Sequence, residues 1–206
     1  MCYNPVISFS TFLIEFLLGI FLLYLSKSRL NEIGAIILFS LGFYQLGEFF
    51  ICKDILMDLW ARIGYSFATL LPALGLHLTF ILTRKKFNFY YYLVPGFFIF
   101  FILFTNQVIS GSVCHKFFVE FLYGSNLFYY LHSVYYALFL FVAVFLIIKN
   151  KIKNKILYLL SLLSFILPTL ILLILFPELL RTTGSVLCHF ALLFAILLFY
   201  IIYKKS

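Results

Sequence analysis

Seven apolar runs, each near twenty residues, alternate with short polar stretches. They cover residues 6–25, 33–51, 63–83, 89–105, 127–148, 156–176 and 184–203. A helix rises 1.5 Å per residue, so about twenty residues cross the roughly 30 Å of hydrocarbon in a bilayer. An open strand in lipid would leave its backbone groups unpaired, so each run is predicted to be a helix. The fourth run is the shortest. The pattern predicts an all-α membrane protein, with residues 1–206 forming one bundle of seven transmembrane helices. No internal repeat or low-complexity linker marks a second domain, and the chain ends three residues after the last run. Pro72 and Pro168 fall inside runs and are expected to kink them. In the longest connection, 106–126, the stretch CHKFFVEFLY is expected to form a short interfacial helix.

Composition sharpens this. Hydrophobic residues make up 65% of the 206 and charged residues 11%, where a soluble domain carries roughly a quarter charged. Lipid is therefore the expected solvent. The net charge of +8 does not point to nucleic acid, because the cations sit in short clusters between apolar runs and not on one polar face. Their placement gives a direction. Lys27, Arg29, Arg84, Lys85, Lys86, Lys149, Lys151, Lys153, Lys155, Lys204 and Lys205 fall in alternate connections and the C-terminal tail. Lys53, Arg62, Lys116 and Arg181 fall on the other side, near Asp54, Asp58, Glu120 and Glu178. The positive-inside rule then puts the N-terminus outside, the C-terminus in the cytoplasm, and an odd number of crossings between them. The apolar opening run lacks a basic start and a small-residue cleavage site, so it is expected to be a span and not a signal peptide.

Candidate chemistry lies in the few polar groups inside the runs, since ionisable side chains in a span are costly and mark function. By depth, Glu48, Arg62, His132 and His189 fall in the outer third, where they would converge on a ligand pocket open to the outside. Simple interhelical hydrogen bonding is the competing role for each. Glu15 is mid-depth, and His77 lies too deep for that pocket; both are expected, with Pro72, in transmission or helix packing. The four cysteines, Cys2, Cys52, Cys114 and Cys188, all lie near the outer face, where three disulfide pairings are open. Cys52 with Cys114 would tie the second helix to the long outer connection. Ala191 and Ala195 give the seventh helix a small-residue face. No cysteine–histidine spacing matches a metal site, no hydrolase, nucleotide-binding or metalloprotease motif is present, and no cofactor is implied.

Three stretches carry a family resemblance. LGEFFICKDILMDLWARIGYSFATLLPALGLHLTFILTRKK contains Trp60, Ala61, Arg62, Leu71, Pro72 and His77 in that order. It resembles the second and third helices of the seven-helix sensor module at the N-terminus of bacterial histidine kinases. FYYLHSVYYALF resembles the start of that module's fifth helix. TGSVLCHFALLFAILLFYIIYKK, with Thr183–Ser185 at its start, resembles the last. The resemblance implies a sensor or receptor in a bacterial inner membrane, with no catalytic activity of its own. Such modules run on into a kinase or cyclase domain, and no such sequence follows here, so the expected output is a separate cytoplasmic signalling protein. Two other expectations stand beside it: a small transporter or the substrate-binding membrane subunit of an importer, and an intramembrane lipid-modifying enzyme.

Overall fold

The computed structural model describes residues 5–105, 108–114, 119–150, 152, 155–175 and 183–204. Helix α1 (Pro5–Leu25) turns tightly into α2 (Arg29–Ile51). Ser28 caps α2, its hydroxyl accepting from the Asn31 amide at 3.2 Å, which satisfies one of the amides a helix start leaves open. The Asn31 side chain, fully buried, donates to the Leu22 carbonyl at 3.0 Å and so locks the two helices together. Helix α3 (Met57–Leu82) begins six residues earlier than its apolar run and carries Trp60 and Arg62 on its first turns.

The chain then departs from expectation twice. The run over 89–105 is a 3-10 turn (Phe89–Tyr92) followed by a twelve-residue helix, α4 (Leu93–Phe104). The Asn88 side chain starts the turn by accepting from the Tyr90 amide, and Thr105 leaves α4 in extended backbone. Together they span about 26 Å, short of a full hydrocarbon crossing. The expected interfacial helix is absent from the described part of its stretch. Instead β1 (Ile109–Cys114) pairs antiparallel with β2 (Val119–Tyr123), Ser112 facing Phe121 and Cys114 facing Val119. The reason is a period of two: Val119 and Phe121 point inward while Glu120 and Leu122 stay partly exposed, the alternation of a half-buried strand.

Three more helices complete the fold: α5 (Asn126–Lys149), α6 (Lys155–Leu175) and α7 (Thr183–Tyr203). Helix α2 packs against α1, α3 and α7, while α3 packs against α2, α4, α5 and β1. Helices α2 and α3 cross closely at Gly47 and Gly64, where a Cβ added to Gly47 would stand 3.2 Å from the Gly64 Cα and 3.2 Å from the Trp60 carbonyl. Ala191 and Ala195 on α7 are both fully buried, in a cluster with Leu22, Leu38 and Leu41.

Burial on α1 runs inside-out. On α1 the buried residues are Ser8, Thr11, Glu15, Gly19 and Leu22, mostly small or polar. Its large residues Val6, Phe9, Leu13, Leu17 and Tyr24 are exposed. On α5 His132, Tyr135, Phe139, Ala143 and Ile147 are buried, whereas Leu131, Val134, Leu138, Phe141 and Phe145 form an exposed stripe. Small and polar residues at contacts with apolar ones outward is the pattern of helices packed in lipid. Among the described residues α1, α2, α3 and α5 are long and apolar enough to cross a membrane.

Candidate functional site

A buried histidine, His132 on α5, joins two helices through both ring nitrogens. Its Nδ1 lies 3.0 Å from the Tyr65 hydroxyl and its Nε2 lies 3.1 Å from the Thr69 hydroxyl, both on α3. Tyr65 and Thr69 are four residues apart, so they share one face of α3 and present two hydroxyls to opposite sides of the ring. The Thr69 hydroxyl donates to the Tyr65 carbonyl at 2.8 Å, which uses its only hydrogen. It must therefore accept from His132 Nε2–H, leaving Nδ1 to accept from Tyr65. The Tyr65 hydroxyl in turn accepts from Tyr123 on β2 at 3.0 Å. The result is one directional chain: Tyr123 to Tyr65 to His132 to Thr69 to the Tyr65 carbonyl, through a neutral imidazole. Tyr135 adds a bond from its hydroxyl to the Thr69 carbonyl at 2.8 Å. Burial pushes the Tyr123 phenol above its ordinary range, so it is a protonated donor at neutral pH.

Aromatic packing encloses the chain. Phe98 of α4 stands edge-on to the His132 ring at 5.3 Å, and Phe121 of β2 packs on both Tyr65 and Tyr44. The strand pair thus caps this end of α3 and α5. Two further ties hold the cap. Cys52, following α2, and Cys114, ending β1, are joined by a disulfide. Arg62 donates to the Ile109 carbonyl of β1 and the Leu103 carbonyl of α4, each at 3.4 Å.

The described contacts of the residues expected in an outer pocket are these. His132 joins Tyr65, Thr69 and Tyr123. Arg62 clamps backbone carbonyls of the cap and α4. Glu48, buried on α2, lies within electrostatic reach of Glu15 on α1. The His189 side chain lies outside the described residues. Glu15 is completely buried beside Gly42 of α2, and neither carboxyl oxygen has a hydrogen-bond partner among the described residues. His77 sits at the opposite end of α3, its Nδ1 2.9 Å from the Tyr92 hydroxyl and its ring stacked on Phe87 at 4.1 Å. It joins α3 to the turn before α4. Pro72 is buried mid-helix, one turn from Thr69. Among the described residues no group of three or more His, Cys, Asp or Glu could hold a metal ion.

Tyr65, Thr69, Tyr123 and Tyr135 carry the chain, and reasoning from charge and depth passes over all four. The available signal was the spacing: Tyr65 and Thr69 four apart, His132 and Tyr135 three apart, each pair on one helical face.

These features define a mostly helical protein with several membrane-length helices and a covalently strapped cap over a buried polar chain. Comparison with protein-family models, with curated proteins and with solved structures finds no match.

Proposed function

We propose that the chain is a multi-pass membrane sensor. All seven helices cross the bilayer, α4 and the turn before it by local thinning of the bilayer around a span about 26 Å long, with the N-terminus outside and the C-terminus in the cytoplasm of a bacterial inner membrane. A small molecule or lipid is read at the outer, capped end of the bundle, and the response passes to a separate cytoplasmic signalling protein. The observation that carries this reading is the directional chain from the cap, at Tyr123, through Tyr65 and His132, to Thr69 one turn before Pro72 of α3. A ligand that displaces the cap breaks the chain at its first member. Differential affinity for the capped and displaced states then shifts their populations. The charge asymmetry of the connections and a disulfide suited to an oxidising compartment favour this orientation.

Two measurements test it. A tag fused behind Ser206 must be accessible only after the cell is permeabilised. Transcript profiles of cells carrying the wild-type chain, no chain, or the Tyr65→Phe and His132→Phe variants must differ in a common set of genes. Changed solute accumulation with unchanged transcripts would overturn the sensor reading in favour of a transporter. The transporter is the second reading, favoured by one observation. Glu15 is a fully buried carboxyl inside a span, near a second carboxyl, as in proton and ion pathways.

A further inference from the structure

Midway along the bundle, where α3 and α5 face α6 and α7, the packing leaves a cavity of about 30 Å³. Its partly exposed walls are Leu71 and Gly75 of α3, Tyr136 and Leu140 of α5, Leu162 of α6 and Phe194 of α7. Gly75 lets it reach the backbone of the central helix: a Cβ added there would meet nothing within 4 Å. Helices α5 and α6 meet at the lysine-bearing end, where Ile147 and Tyr158 cluster with Ile201. Beyond that contact, Leu138 and Phe141 on α5 and Leu163 and Leu167 on α6 are exposed.

Depth and charge say what fills it. Leu162 is seven residues from Lys155 and Tyr136 thirteen from Lys149, which puts the cavity about 10–20 Å from the end that carries those lysines. Half a hydrocarbon core is about 15 Å, so this is the level where the chain of a lipid anchored at the lysine end terminates. An apolar void of this kind does not hold water stably, and its walls are partly exposed. Lys149 and Lys155 close the two helices there, and each such cation near a surface attracts an anionic headgroup by about 1 kcal/mol.

The geometry points to a specific lipid site: an anionic phospholipid of the leaflet at the lysine end places one acyl chain between α5 and α6, with its terminus against Gly75. The site is distinct from the capped polar chain. It depends on the helices being spans.

The test uses the full chain in nanodiscs of phosphatidylcholine and phosphatidylglycerol, with a photoactivatable diazirine at the acyl terminus of either lipid. Labelled peptides are mapped by mass spectrometry, and the exposed Leu13 and Leu17 face of α1 reports annular lipid. The phosphatidylglycerol probe should label the Leu71–Gly75 and Tyr136–Leu140 segments. Gly75→Leu should reduce that labelling about fivefold or more and leave α1 labelling unchanged. Leu162→Trp, which narrows the mouth from α6, should do the same and replaces it if the first variant does not fold. Lys149→Gln with Lys155→Gln should remove the preference for phosphatidylglycerol. Three results would overturn the proposal: cavity labelling no stronger than on α1, labelling that survives both filling variants, or equal labelling by the two lipids. Loss of labelling on α1 as well would instead remove the membrane reading itself.

Discussion

Replacing the Tyr65 hydroxyl separates a true chain from a set of independent contacts. In Tyr65→Phe the ring and its packing against Phe121 and Tyr123 remain, so only polar terms change. Two hydrogen bonds vanish, one from Tyr123 and one to His132. Bonds of this kind inside membrane proteins average about 0.6 kcal/mol each. The larger effect is on what remains: His132 Nδ1 and the Tyr123 hydroxyl stay buried with their partner gone, at about 1–3 kcal/mol for a stranded group. The sum is a destabilisation of about 3–7 kcal/mol. Tyr123→Phe removes only the terminal donor, because Tyr65 still donates to His132, and so costs about 0.6 kcal/mol. The double variant should be no less stable than Tyr65→Phe, since deleting the Tyr123 hydroxyl removes a stranded donor. The assay is thermal unfolding of the purified chain in one detergent with the disulfide intact, all four proteins in parallel. Equal losses for the two single variants, or additive losses in the double, would show that the hydroxyls act separately and that the chain has no direction.

Four further outcomes follow from the same contacts. Cys52→Ser should lower stability by up to about 4 kcal/mol by the chain-entropy relation for a loop this long, the two cysteines being 62 residues apart; quantitative alkylation of both wild-type thiols without reductant would refute the bridge. Gly47→Ala should destabilise by about 1–3 kcal/mol, because its Cβ would press on the backbone of α3 at Gly64 and Trp60; an unchanged unfolding midpoint refutes the close crossing. Glu15→Gln should hold or raise the unfolding midpoint, as it removes an ionisable group buried without a hydrogen-bond partner among the described residues, and a clear loss would reveal a partner for the carboxylate. The Tyr123 phenol is pushed up in the folded chain, so the unfolded chain loses that proton first. The contribution of Tyr123 should therefore be constant below pH about 10 and decline above it, and Tyr123→Phe should lack that decline.

How much of this was legible depends on which physical signal each feature leaves in sequence. Long apolar runs are set by bilayer thickness, and six of the seven expected stretches are helices of at least 21 residues. The fourth is shorter because its apolar run includes Phe89–Tyr92, which the Asn88 side chain holds as a 3-10 turn; hydropathy does not register a cap. The strand pair was hidden for a related reason. VEFLY is apolar enough to read as helix, and its period of two spans only five residues. The decisive factor is tertiary: Phe121 fills the space between Tyr44 and Tyr65, and the bridge from Cys52 brings β1 to the end of α2.

The polar interior divides along the same line. Charge and depth select Glu15, Glu48, Arg62 and His132 as unusual, because ionisable groups are rare in spans. They do not select Thr69 or Tyr65, which are ordinary in an apolar helix and become informative only once α5 places a ring nitrogen against each. Nor do they foresee that Arg62 addresses carbonyls, because an irregular segment creates that need: β1 and the end of α4 carry C=O groups that no helix satisfies, and a five-donor guanidinium answers two of them. The cap and the residues that hold it are therefore one problem. Lipid permits non-helical backbone only where it is buried in protein or wetted. An arginine at Arg62 and a tyrosine at Tyr123 thus accompany a strand pair packed against membrane helices. Removing the guanidinium should loosen the cap before it disturbs the bundle. In Arg62→Ala, hydrogen exchange should rise first over residues 109–114 and 119–123 while the amides of α2 and α3 keep their protection. Uniform loss of protection across all helices would instead make Arg62 part of the bundle's own stability.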